Sequence, residues 1–162
     1  MFAVALKPAA STTAAADTKI PGQLTKVALD TMLALGTVRA YLLDATYVWD
    51  EDNHTFLSDV VSKEIATGNG YTAGGKALTG VATSYDSTGN TAKCSSDPVS
   101  WVQNPGQTLK AGYCAIVIKT GSNATSIILA IVNAGGEVQA SGALTVTPDT
   151  VDGWLAGAQI TV

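Results

Sequence analysis

The sequence predicts a mainly β (α+β) fold: a single-domain β-sandwich or barrel with one or two short helices and an extended N-terminal arm. Three observations lead there. From residue 71 onward, short apolar runs alternate with turn residues at roughly ten-residue spacing. Two of those runs are apolar at consecutive positions, as in strands covered on both faces. Helical spacing of apolar residues occurs in only two stretches, both before residue 68. A length of 162 residues suits one domain with a core of useful size.

Residues 9–18 read Ala-Ala-Ser-Thr-Thr-Ala-Ala-Ala-Asp-Thr, without one large side chain. Ordering a residue's backbone costs about 1–2 kcal/mol, and this stretch has little to bury in return. Residues 1–20 are therefore predicted to form an arm, either disordered or extended against a partner. Phe2, Val4 and Leu6 are its candidate anchors. Residues 21–162 form the β-rich body.

Pro21-Gly22 opens that body. Leu24, Val27, Ala28, Thr31, Met32 and Leu35 recur at helical spacing up to Gly36, which predicts a helix over 23–35 with this stripe in the core. Residues 37–49 read as a strand with apolar groups on both faces, ended by Asp50-Glu51-Asp52-Asn53. Phe56, Leu57, Val60, Val61 and Ile65 predict a second short helix that stops near Gly68-Asn69-Gly70. Residues 77–85 and 91–94 flank a turn and predict a hairpin. Residues 99–102 predict a strand carrying Trp101. Residues 113–119 and 126–132 lack alternation and predict two central strands. Gly135-Gly136 reads as a turn into a half-exposed strand over 137–147, and Trp154, Leu155, Ile160 and Val162 predict a last strand on the core.

Composition excludes several roles. Hydrophobic residues make up 46% and charged residues only 14%, where an average domain has about 25% charged. So little polar surface favours burying apolar area against partners. A net charge of −4, with nine scattered basic residues, argues against nucleic-acid binding. Cys94 and Cys114 are too few for a disulfide framework and are expected as buried thiols, a bridge between them being the minor alternative. The longest apolar run, residues 127–132, is far short of the roughly 20 residues of a membrane-crossing helix. The apolar start lacks a preceding positive charge and meets Lys7-Pro8 at once, unlike a secretory signal. Synthesis and assembly in the cytoplasm are the expectation.

No motif announces catalysis. His54 is the single histidine and no nucleophile signature accompanies it. The acidic cluster Asp50-Glu51-Asp52-Asn53-His54 lacks the glycine and ligand spacing of a calcium loop, so it reads as a solvated turn. Gly70 stands four residues before Gly75-Lys76, as in a phosphate loop, but Ala77 replaces the magnesium-binding hydroxyl. No cofactor, metal site or catalytic residue is predicted.

Tyr41-Leu42-Leu43, Tyr47, the segment His54-Thr55-Phe56-Leu57-Ser58-Asp59-Val60, Glu64, and the segment Gly70-Tyr71-Thr72-Ala73-Gly74-Gly75-Lys76-Ala77-Leu78-Thr79-Gly80 together resemble a group of small bacteriophage virion proteins. The resemblance spans about residues 25–155 and is strongest over 70–80. Gly68-Asn69-Gly70 departs from the usual Gly-Thr-Gly, and residues 1–20 look like an addition. The resemblance implies a structural, non-enzymatic subunit found near head genes. The expectation is a capsid decoration (cement) protein that forms a homo-oligomer such as a trimer and contacts the major capsid protein, without nucleic acid or membrane. Tyr71 and Lys76, with Phe2, Val4 and Leu6, are the candidate interface residues. Two other readings compete. One is a tail or fibre component binding a host glycan through Trp49, Trp101, Trp154 and the five tyrosines. The other is a particle-borne cell-wall hydrolase, for which no distinctive carboxylate pair exists outside the Asp50 cluster.

Overall fold

The computed structural model describes residues 22–89, 91–149, 153–154 and 158–162. In chain order these form helix α1 (Gly22–Leu33), strand β1 (Thr37–Leu43), one-turn helix α2 (Leu57–Val60), and strands β2 (Lys76–Ala77), β3 (Ala82–Asp86), β4 (Thr91–Ser95), β5 (Val99–Val102), β6 (Leu109–Lys119), β7 (Ile127–Ala140), β8 (Ala143–Thr147) and β9 (Gln159–Thr161). All pairs among these strands are antiparallel, and among the described residues a single parallel bridge joins Cys94 of β4 to Gly153. The sheets run in the orders β2-β1-β6-β7, β3-β4 and β5-β8-β9. The fold is mainly β and sandwich-like, as the residue pattern predicts.

The four-stranded sheet lies in the middle. From one face Val38, Ala40, Leu42, Cys114, Ile116 and Ile118 meet Cys94, Val99, Trp101, Leu144 and Val146, together with Leu29 of α1. From the other face Tyr41, Leu43, Ala115 and Val117 meet Tyr47, Leu57 and Val60. This double cover explains why β1 and β6 read as apolar on consecutive positions. Cys94 and Cys114 are free and buried in the first layer, where burial pushes both thiols up, Cys94 to about 11.

Several expectations shift. The first strand stops at Leu43, not at residue 49, because Asp44 folds back. Its carboxylate accepts hydrogen bonds from the amide (2.7 Å) and hydroxyl (2.5 Å) of Thr46. The second helix is one α-turn followed by a 3-10 turn, Val61–Lys63. The run 77–85 divides between β2, which pairs with β1, and β3, which forms the expected hairpin with β4. Helix α1 turns a different face inward: Leu29 is buried and Met32 and Leu33 half-buried, whereas Leu24, Val27 and Leu35 are 57%, 58% and 58% exposed. Gly135-Gly136 does not end a strand; β7 runs through it to Ala140. Its register against β6 jumps between Tyr113↔Asn133 and Ala111↔Val138, and Gly135 (φ 78°) and Gly136 (φ 146°) absorb the bulge. The chain then changes sheets between β7 and β8.

The largest difference concerns β7. Expected as a central strand, it is an edge strand, and Ile127 to Ile131 are only half-buried. Apolar composition predicted a strand with two covered faces, but it cannot say how many neighbours pair along its sides.

Because β6 is buried on both faces, Ile116→Ala is expected to lower stability by about 2–5 kcal/mol. Val102→Ala, at a residue 70% exposed, should change it by less than about 0.5 kcal/mol. Urea unfolding followed by tryptophan fluorescence checks this ranking.

Candidate interaction surface

The segment 70–80 carries the sequence's strongest signal, and its geometry is inward-looking. Tyr71 is 2% exposed, so it is a core residue and does not present itself to a partner as expected. Its hydroxyl donates to Glu64 Oε1 (2.6 Å) and accepts from the Leu42 amide (3.3 Å). The same Glu64 oxygen accepts the amides of Gly74 (2.7 Å) and Gly75 (3.2 Å). Arg39 closes the loop from the other side, donating through Nε to the Gly74 carbonyl (2.9 Å) and through Nη2 to the Gly75 carbonyl (2.6 Å). The glycines that resembled a phosphate loop do form an anion-accepting pair of amides, but the chain's own carboxylate fills it.

Two of these glycines admit no side chain. A Cβ on Gly75 (φ 69°) would lie 2.9 Å from both the Tyr41 ring and the Ala40 carbonyl; one on Gly70 (φ 99°) would lie 2.1 Å from the Val102 carbonyl. The loop thus presses backbone against β1 and β5.

Its effect is to seal the β1 edge. The Val38 carbonyl accepts the Leu78 amide, β2 pairs with Arg39 and Ala40, the Leu42 amide meets Tyr71, and the Leu42 carbonyl accepts the Ile65 amide. Lys76 is exposed, with Nζ donating to the Ser100 carbonyl (2.7 Å). A cleft of about 330 Å³ lies beside it, lined by Arg39, Thr72, Lys76 and Trp101, and both its cations already hold backbone carbonyls.

The opposite edge of the sheet is treated differently. Among the described residues, outward groups of β7 are met at its start, where the Leu57 amide donates to the Ser126 carbonyl and the Ile128 amide to the Thr55 carbonyl. Beyond Ile128, no described residue pairs with the outer side of β7. Phe56, 38% exposed, forms the bridge to Ile127 at that corner. Phe2, Val4 and Leu6 lie outside the described residues.

The remaining candidates resolve into structure. Trp101 and Trp154 are 5% and 2% exposed and offer no stacking face; Trp49, 37% exposed, is the one that does. Asp50 binds its own turn through the Asn53 side chain (2.8 Å) and the amides of Asp52 and Asn53, and these bonds, the Asn53 side chain foremost, hold its carboxyl below the usual range. His54 stacks on Tyr47, and its Nδ1 accepts the Asp50 amide (3.2 Å). The described residues contain no grouping of three or more His, Cys, Asp or Glu placed to hold a metal. None of their helices is long and apolar enough to cross a membrane. Compared with models of protein families, with curated proteins and with solved structures, the chain matches none.

Sequence reasoning singled out Tyr71 and the glycines, and named Glu64 within the resemblance without seeing it as their hub. A lone glutamate after a helical stretch carries no local signal; only the fold brings it to loop amides ten residues away. The open edge of β7 was missed for the same reason.

Burial pushes the Tyr71 phenol far above its ordinary value, with Glu64 adding to the shift, and burial pushes Tyr47 up to about 12. Both values are raised relative to the unfolded chain. Their contribution is therefore intact below about pH 10, the unfolded value, and is lost as pH climbs through the folded ones. Stability measured by urea titration should stay level to about pH 10 and then fall, more shallowly in Tyr71→Phe. At neutral pH, Tyr71→Phe should cost about 1–3 kcal/mol by stripping the Leu42 amide of its partner. A neutral-pH loss near zero would remove Tyr71 from the seal.

Proposed function

We propose that this chain is a structural subunit of a bacteriophage particle, a decoration (cement) protein on the outside of the head. It acts through contacts among its own copies and with the major capsid protein, and no chemistry is assigned to it. One observation carries the reading: large apolar surface stays outside a body whose glycine-rich loop is held by its own Glu64 and Arg39. Leu24 and Val27 stand along α1 and Leu35 just past its end, Val48 is 76% exposed, and the half-buried Ile127 to Ile131 lie on the edge strand β7. With so few charges to disperse it, such surface is best used against other protein. The resemblance of residues 41–80 to small virion proteins supports the same reading, and it also supports a location on the virion.

A second reading, a tail or fibre component holding a host glycan, now rests on Trp49 alone among the three tryptophans.

Added to capsids that lack it, the chain should bind saturably and raise their resistance to heat. The double change Leu24→Asp and Val27→Asp should lower occupancy at least ten-fold while leaving the melting temperature of the isolated chain nearly unchanged. Absence of binding to any capsid, together with a glycan-array signal abolished by Trp49→Ala, would favour the second reading.

A further inference from the structure

We infer that the open edge of β7 is the docking site for residues 2–6 of a neighbouring copy of this chain, added as an extra strand. The inference concerns contact between copies and stands apart from the assignment to a capsid.

The acceptor is unusual for an edge strand. Over Ile127–Ala140 it carries one charged residue, Glu137, which is held by Lys110 at 2.9 Å, and it contains no lysine or proline. Exposed edges are normally blunted by charge, proline or a bulge, since unpaired amides invite another strand. Here Thr55 to Leu57 cover the start, and the bulge at Gly135-Gly136 interrupts the far part. Between them residues 129–133, Leu-Ala-Ile-Val-Asn, form an uncharged stretch whose outer amides and carbonyls have no hydrogen-bond partner among the described residues.

The occupant follows from length and pattern. Residues 2–6 read Phe-Ala-Val-Ala-Leu, five residues against five. In a strand their three large side chains fall on one face and the two alanines on the other. Added beside β7, the large row extends the half-covered apolar layer in which Ile128 and Ile131 stand, and the alanines fall on the face that carries Ala130. Main-chain hydrogen bonds supply affinity, and the alternating row supplies register.

The neighbouring copy is favoured by placement. The C-terminal half of helix α1, through Asp30 and Leu33, lines a groove with Val38 of β1 and Leu78 just past β2. That is the edge of the sheet opposite β7. Residues 7–21, a tether of fifteen, reach at most about 50 Å fully extended, but residues 9–18 offer no large side chain to hold the tether around its own body. A donor at one edge and an acceptor at the other make a head-to-tail contact, which closes into a ring when the rotation permits.

The test uses disulfide trapping in co-expressed full-length chains of different tag mass. One carries Ala3→Cys and the other Ala130→Cys. Cys94 and Cys114 are buried and do not compete. Mild oxidation should give a mixed linked pair, its yield falling at least ten-fold when Val4→Asp is added to the donor. Ala5→Cys serves as a second donor position, and thermal melts confirm that each variant is folded. No mixed pair from either donor position would overturn the inference. So would a link that forms only within one chain when both cysteines are placed on the same polypeptide. Capsid binding is not read in this experiment, so its failure and that of the proposed function remain distinct.

Discussion

A β-sheet has two edges, and every amide group along them must be paired or wetted. Among the described residues, the central four-stranded sheet meets that demand along the whole of one side and only at the start of the other. Glu64 gathers the Tyr71 hydroxyl and the Gly74 and Gly75 amides onto one oxygen, and the loop so held covers the outer side of β1. With that side sealed, β1 and β6 can be buried on both faces, where Tyr41, Leu42, Leu43 and residues 114–118 stand almost free of solvent. If the seal were lost, the Leu42 amide would face a layer that water does not reach.

The same arrangement explains why a glycine-rich loop beside a lysine is no anion site. Its amides converge as a phosphate would require, but a carboxylate from the same chain is already there, and Arg39 holds the neighbouring carbonyls. Glycine is needed for close approach: at Gly75 any side chain would run into Tyr41. The lone histidine is likewise engaged, stacked on Tyr47 and bonded to the Asp50 amide, and the acidic cluster spends its best acceptor on its own turn.

Several large apolar side chains are left outside. The exposed side of α1, Val48 and Trp49 in the loop after β1, Phe56, and the β7 edge share no residue with the Glu64 hub. Burying a medium-sized apolar side chain is worth roughly 1.5–3 kcal/mol, so several such residues on a body with little charge make association with other copies or a larger shell favourable. The proposed coat role and the strand-addition contact both draw on this imbalance, one through the helix and one through the edge.

Local pattern was enough for much of this. The period of the apolar residues determined the element types: helix before residue 36, hairpin about residues 87–89, Trp101 on its own strand, and consecutive apolar residues in β1 and β6. These are local properties, because a side chain's period reflects the backbone it sits on. Only the tertiary structure decided which side of α1 faces inward, that Gly135-Gly136 bends a strand without ending it, that Glu64 is the partner of the glycine loop, and that residues 127–132 lie at an edge. Periodicity records whether faces are apolar; pairing along an edge, and contact between residues far apart in the chain, depend on which strands arrive alongside. That is settled by the packing of all the layers together.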